Sequence, residues 1–356
     1  MIIYVIGTIL TSLLLGIANY FHNNKKNKII EITLIILSIL PLSLISGLRC
    51  GIGTDYFYTY YKGFYSILSG NNPYSREPLF YLLNNFIPLF STDAQWLFLI
   101  TSFIYMTFMT LSICKMSKNW ALSIIILLIG NYYFYSMNII RQACAISIGA
   151  LAFAYSCDRK YIRTIILSLL AVGFHNSALF LFPLLIVNGI KPLYKKGYLI
   201  HLLIFAFIPL YIPLLTKLVN VIDYGAYFDP TKGDFMKEYV IVYGIIYLVS
   251  MFYYKRLINV SNYSFGLILA LSFGVILSIL SYRMTMESTL RLTYWFTWPL
   301  IFLLPSFTKI NDNKIISYTL TLILMVVLSY ILIEFGYKRC FGEVLPYVDI
   351  WGHVIH

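Results

Sequence analysis

The sequence predicts an all-α, polytopic integral membrane protein of about twelve transmembrane helices. Three observations carry that expectation. Of 356 residues, 60% are hydrophobic and only 11% are charged, well under the roughly 25% charge of soluble domains. The mean hydropathy of +0.80 leaves too little polar surface for a soluble fold of this length. Apolar runs long enough for a hydrocarbon core of ~30 Å recur from one end of the chain to the other.

In order, the runs cover 2–21, 29–47, 94–114, 119–137, 139–157, 161–175, 176–190, 198–216, 238–254, 263–282, 292–308 and 315–336. The first lacks a basic start and a small-residue cleavage site and is followed by further spans, so it reads as retained. The two runs that meet at His175 are short. They read either as tight spans or as a broken, re-entrant element, which membranes accept only where protein or water covers the exposed backbone. Residues 1–356 are expected to form a single membrane domain.

Orientation follows from lysine and arginine counted loop by loop. One alternate set of loops holds Lys25, Lys26, Lys28, Lys115, Lys118, Arg159, Lys160, Arg163, Lys191, Lys195, Lys196, Lys255, Arg256, Lys309 and Lys314, with Asp158 and Asp312 its acids. That set is expected in the cytoplasm, which puts both termini outside. The opposite set contains the long segments 48–93 and 217–237 and the tail 337–356, where long ordered loops tend to carry function. The net charge of +12 is spread over short loops, so topology explains it better than a nucleic-acid partner.

Several chemistries are excluded. Cys50, Cys114, Cys144, Cys157 and Cys340 show no paired ligand spacing, so neither zinc nor a redox motif is indicated; Cys50 and Cys340 fall on the same predicted side. No glycine-rich phosphate loop, GxSxG or HExxH occurs, which argues against a soluble nucleotide donor. No metal and no cofactor is expected.

The remaining polar groups collect where apolar runs stop on the predicted outer side. Charge at membrane depth is expensive and usually functional. Arg49 and Asp55 flank Gly51 and Gly53. The arginine can grip a phosphate, the aspartate can accept a hydroxyl proton, or the two can simply close a loop as an ion pair. Ser75-Arg76-Glu77-Pro78 looks like a helix start with Ser75 as cap, followed by Leu79, Leu82, Leu83, Phe86 and Ile87 on one face of a stretch too short to span. It is expected in the interface or dipping into the bundle. Tyr56, Tyr58, Tyr60, Tyr61 and Tyr65 read as an interfacial belt, with sugar stacking the alternative.

The fifth run opens on Asn138, placed to cap, with Arg141 and Gln142 in its first turn. A cation there opposes the helix dipole, which makes sense if an anion binds; snorkelling is the bland reading. His175 can serve as a base near neutral pH or as a satisfied structural group. Arg283, Glu287 and Arg291 are spaced four apart with Tyr294 near the same stripe, so they read as a salt-bridge ladder or as a clamp for a diphosphate.

These residues resemble the EpsG-like branch of the Wzy-type polysaccharide polymerases. The likeness rests on Leu48-Arg49 with Gly53-Thr54-Asp55-Tyr56, on Glu77-Pro78-Leu79-Phe80, on Asn138-Ile139-Ile140-Arg141-Gln142 and on Phe174-His175-Asn176-Ser177-Ala178-Leu179. Arg291 with Tyr294 and the terminal Leu345-Pro346-Tyr347 extend it over most of the chain. The resemblance implies a fold similar to membrane-embedded lipid-donor glycosyltransferases. It implies that O-antigen, capsule or exopolysaccharide repeat units are joined on the outer face of the bacterial cytoplasmic membrane. Undecaprenyl-diphosphate-linked oligosaccharide would be both donor and acceptor, and a chain-length regulator and a flippase of the same pathway would be partners. Arg49, Arg141, Arg283 and Arg291 would hold the lipid diphosphate. Arg76, Glu77, Gln142, Glu287 and Tyr294 would complete the binding surface, and Asp55 or His175 would activate the acceptor hydroxyl. The rival readings are a lipid-linked oligosaccharide flippase and a polyprenyl-phosphate-dependent transferase of single sugars.

Overall fold

The computed structural model describes residues 1–188, 197–206, 237–284, 287–340 and 342–355. They are helical almost throughout, with one two-stranded β-hairpin near the C-terminus. Six helices among the described residues are long and apolar enough to cross a membrane, or up to eight if two bent pairs each count as one span. The all-α membrane expectation holds; among the described residues the spans number six to eight and not twelve.

The physical reason lies in interruptions that an apolar run conceals. The run 119–137 is broken at Gly130 and Asn131 into Trp120–Ile129 and Tyr132–Asn138, bent by 58°, with Asn131 left-handed at φ 65°. The run 238–254 continues past Phe252 as a second helix bent by 79°. The runs around His175 form Tyr161–Phe174 and Asn176–Asn188. At ~1.5 Å per residue neither reaches across the hydrocarbon alone. The run 292–308 divides into Glu287–Thr297, Leu300–Leu303 and a 3-10 turn, Leu304–Lys309. The expected span 198–216 is described only as Gly197–Ala206, and the outer segment 217–237 lies outside the described residues apart from Lys237.

The chain divides into two compact units, Met1–Phe182 with Leu332–His356, and Pro183–Ile331. In the first, α1 (Ile2–Asn23), α2 (Lys28–Gly47), α3 (Lys62–Leu68), α4 (Pro78–Phe86), α5 (Gln95–Met116), α6 (Trp120–Ile129), α7 (Tyr132–Asn138), α8 (Ile140–Cys157) and α9 (Tyr161–Phe174) follow one another. Small residues let them approach: the last turn of α2 meets Leu99 of α5 at Gly47, and Ala143, Ala145, Ala150, Ala152 and Ala154 make α8 the buried centre.

The long helices alternate in direction, so the two ends of this unit differ chemically. Lys115 pairs with Asp158 at one end, where His22 also lies against Trp120. Gln95 reaches the Gly47 carbonyl at the other, where Arg141 opens α8 and Phe174 closes α9. Arg141 and Asp158 stand at opposite ends of a helix of 18 residues, about 27 Å long. The basic loops and the candidate site residues of this unit are thereby segregated, as the loop count requires.

In the second unit, Gly274 lies against the Phe296 carbonyl at 2.8 Å from an ideal Cβ position. Ser264–Met284 and Glu287–Thr297 therefore fold back on each other as a helical hairpin. This corrects the expectation that Arg283, Glu287 and Arg291 share one helix face: the chain reverses between the first and the other two. Gly274→Ala places a methyl group against unyielding backbone, with an expected cost of about 1–3 kcal/mol. A fall in the thermal unfolding midpoint of the purified protein checks it; an unchanged midpoint contradicts the hairpin packing.

Candidate functional site

The site is built on Glu77. The chain after Tyr56–Tyr61 and α3 turns back so that helix α4 starts at Pro78, which suits a first helical position because it lacks an N–H to satisfy. The cap position therefore falls on Glu77, not on Ser75 as expected, and the carboxylate makes no capping bond. Its two oxygens are taken from other directions: Arg141 Nη1 donates to Oε2, and His175 Nδ1 meets Oε1. Two segments far apart in sequence, 64 and 98 residues from Glu77, converge on one acid.

Packing decides this convergence. Gly173, two residues before His175, faces Leu79, whose Cγ lies 2.5 Å from an ideal Cβ position there. The absent side chain brings the first turn of α4 onto the last turn of α9. Beyond Phe174 the backbone turns extended at His175, φ −158° and ψ 125°, which directs the imidazole away from the helix axis. On the other flank, Tyr60, Tyr74 and Phe80 surround the Arg141 guanidinium at 5.8, 5.0 and 5.8 Å. Tyr74 is anchored by donating to the Thr59 carbonyl at 2.8 Å. The aromatic core of the 48–93 segment, with Phe64, Phe80, Leu97 and Phe98, fixes that collar.

The electrostatics follow from this geometry. Burial alone would raise the Glu77 carboxyl, but the hydrogen bond from His175 and the charge of Arg141 outweigh it and hold Glu77 below the usual carboxylate range. Arg141 opens α8, where a cation opposes the helix dipole; Glu77 offsets that cost. Arg141 is enclosed by rings and a carboxylate, so it does not snorkel. Its Nε is buried without an acceptor. Side-chain exposure is 24% for Arg141 and 14% for His175, against 6% for Glu77. The outer edges of the pair are open and the shared acid is closed.

The other expected residues take different places. Arg49 is only 1% exposed. It donates to the carbonyls of Ser46, Ile52 and Met137 and to the Ser46 hydroxyl, with its face over Phe98. Its guanidinium is closed to solvent and engaged by protein acceptors, so it organises the loop. Asp55 is half-buried at the start of Tyr56–Tyr61 and close enough to Tyr74 to influence its hydroxyl. Glu77 is likewise engaged by protein partners, Arg141 and His175. Arg76 is exposed beside it, and Gln142 is buried in the first turn of α8. Asn138 ends α7 and does not cap α8; it accepts from the Thr54 amide and hydroxyl at 2.8 and 2.9 Å. Among the tyrosines, Tyr56 and Tyr60 are core, while Tyr58, Tyr61 and Tyr65 are exposed and keep the character of a belt. Helix α4 exposes Leu82 and Phe86 and buries Phe80 and Asn84, as an interfacial helix packed on one side does.

Arg291 is half-buried on Glu287–Thr297, and Tyr294 is buried with its hydroxyl 3.1 Å from that of Tyr239. The side chains of Arg283 and Glu287 lie outside the described residues.

Sequence reasoning missed the C-terminal tail. Residues 347–348 and 354–355 pair as an antiparallel hairpin, and its first strand continues onto the Arg49 loop. Cys50 donates to the Val348 carbonyl at 2.9 Å, Ile350 to Leu48 at 3.0 Å and Gly53 to Glu343 at 3.1 Å. Gly342 lies against the Asn138 amide, whose Nδ2 is 2.5 Å from an ideal Cβ position there, and its φ of 90° favours glycine. Tyr347 reaches the Ile45 carbonyl at 3.0 Å. The glycines at 342 and 352 and the polar tail were the available signal.

The sequence profile of the EpsG family matches residues 32–348. The chain belongs to the EpsG family. The match takes in the Arg49 loop, the Glu77 hub and the first strand of the tail. No curated protein and no solved structure matches the EpsG-family chain.

Because the folded Glu77 carboxyl is held low, its pairing contributes above the ordinary carboxylate range and is lost as pH falls through and below that range. Thermal stability of the purified protein is expected to be flat through neutral pH and to fall in acid, with Glu77→Gln reducing that acid dependence. An acid limb of the same size in Glu77→Gln assigns the loss elsewhere. Gly173→Val is expected to part α4 from α9 and lower activity at least tenfold with protein level unchanged; full activity contradicts the placement.

Proposed function

We propose that this EpsG-family protein is a membrane glycosyltransferase that polymerises lipid-linked glycan repeat units on the outer face of the cytoplasmic membrane. One observation carries the reading: a partly open arginine with a spare donor and a partly open imidazole are held side by side by one buried acid, at the end of the helices opposite the basic loops.

The chemistry asked of such a site is modest. The donor is a glycan on undecaprenyl diphosphate, already joined to a good leaving group. The protein must neutralise the departing diphosphate and receive a proton from the acceptor hydroxyl. Arg141 supplies a guanidinium whose Nε points to no protein acceptor, which suits a phosphoryl oxygen. His175 or Asp55 receives the proton. The acceptor oxygen then bonds to the anomeric carbon as the bond to the lipid diphosphate breaks, and the electron pair leaves with the diphosphate. Arg291 and Tyr294 are proposed to contribute to lipid binding from their own unit. Arg76, on the exposed surface, is proposed to meet headgroups or glycan. The exposed tyrosines and the apolar edge of α4 suit the interface where lipid and sugar meet.

Deletion of the gene followed by glycan electrophoresis tests the reading. The expected result is loss of the polymer ladder with a single-unit product retained, and loss of that single unit as well overturns it in favour of a flippase or an earlier transferase. Arg141→Ala and His175→Ala, each complementing the deletion with protein level checked, are expected to lower polymerisation by about 10²-fold or more. EDTA is expected to leave turnover intact; loss on chelation with recovery on added metal overturns the metal-free mechanism. Orientation is checked on the native thiols. Cys50 and Cys340 are exposed at the site end, so a membrane-impermeant maleimide is expected to label them in intact cells, and protection of both places the site in the cytosol.

A further inference from the structure

Glu77 is the only acid touching either Arg141 or His175 through the described ion pairs, and it touches both. An ionised carboxylate only accepts hydrogen bonds. With Glu77 held ionised, the hydrogen between it and His175 belongs to the imidazole Nδ1, and a neutral ring then keeps its free electron pair on Nε2. Arg141 is permanently charged, so the Arg141 and Glu77 pair is already neutral and does not require a second proton on His175. The remaining titratable groups around the pair are Tyr60 and Tyr74, whose rings face Arg141, and Asp55, which acts on Tyr74.

We propose that Glu77 is a positioning residue that couples anion binding at Arg141 to proton uptake at His175, so that a diphosphate drawing on the guanidinium leaves more of the carboxylate's charge for the imidazole. This rests on the reading of Arg141 as the anion site, and it selects His175 over Asp55 as the proton acceptor. A phosphoryl oxygen that reaches the partly exposed guanidinium competes with Glu77 for it. The arginine's hold on Oε2 weakens. The carboxylate then favours the imidazolium form of His175, because an opposite charge within hydrogen-bond reach stabilises the charged state. The base strengthens only when the donor's diphosphate is in place. In the transfer itself the acceptor hydroxyl gives its proton to His175 Nε2, its oxygen bonds to the anomeric carbon, and the diphosphate leaves with the bonding pair. The imidazolium afterwards returns its proton to water.

The test uses the full chain in lipid nanodiscs with ring-labelled histidine. The five histidines of the sequence are distinguished by substitution, and inorganic pyrophosphate serves as the probe. In the wild type, neutral His175 is expected as the Nδ1–H tautomer, and saturating pyrophosphate is expected to raise the pH of its second protonation by about one unit. Glu77→Gln is expected to reduce that rise to less than half. Arg141→Lys is expected to weaken pyrophosphate binding at least tenfold, because a point charge replaces a planar fork. An Nε2–H tautomer, or a rise of equal size in Glu77→Gln, overturns the coupling. So does pyrophosphate binding that leaves His175 unmoved. Absence of pyrophosphate binding in wild type and Arg141→Lys alike overturns the anion reading itself, which keeps the two failures apart. If Glu77→Gln does not accumulate, Glu77→Asp, which withdraws the carboxylate by one methylene, is expected to show the same reduction.

Discussion

The shared carboxylate of Glu77 is the constraint on which the first unit's chemistry depends. A charged acid in a site walled by Tyr60, Tyr74, Phe80 and Phe174 is costly to leave unpaired. The protein answers with two cation-capable groups drawn from separate helix ends, Arg141 at the start of α8 and His175 after α9. The same contacts resolve three local problems together. The buried acid is compensated, the arginine at a helix start has a counter-charge, and the histidine has a defined partner for Nδ1.

Positioning of this hub is a matter of close approach more than of attraction. Gly173 admits Leu79, and so sets α4 against α9. Tyr74 is locked by Thr59, and so holds one ring of the collar over Arg141. Arg49 performs a comparable task for the neighbouring loop. It gathers carbonyls from the ends of α2 and α7, where the broken span would otherwise leave them unsatisfied in a medium without water. The C-terminal hairpin completes the loop's backbone bonding through Cys50, Gly53 and Ile350. A segment more than 290 residues away in sequence thereby shapes the approach to the site.

Legibility in the sequence varied with the kind of interaction. The membrane class, the six long spans and the separation of basic loops from candidate site residues in the first unit all follow from composition and local hydropathy, which are sums over neighbours in the chain. The helix breaks were harder, because α6 with α7 and the pair after Phe252 remain apolar through the bend. Gly130 followed by Asn131, which is left-handed, was the local mark of the first. Asn138 and Ser75 read as caps of the nearest helix, whereas a partner across the bundle and the exact start of α4 at Pro78 decide what they do. For Arg283, Glu287 and Arg291 the spacing of four holds only from Glu287 to Arg291, which share one helix, because Arg283 belongs to the preceding one.

By itself the sequence determined that this chain lives in a bilayer, which ends of its helices carry polar chemistry, and that Arg141, Glu77 and His175 stand where apolar runs stop. Those are consequences of one-dimensional pattern: water-to-lipid transfer of contiguous residues and the placement of breakers and charges along the chain. Only the tertiary structure decided that the three belong together, that Arg49 faces inward and that the tail pairs with the Arg49 loop. Such choices turn on which helix ends approach within hydrogen-bonding distance, and that is set by the small residues and ring packing of segments remote from one another in the chain.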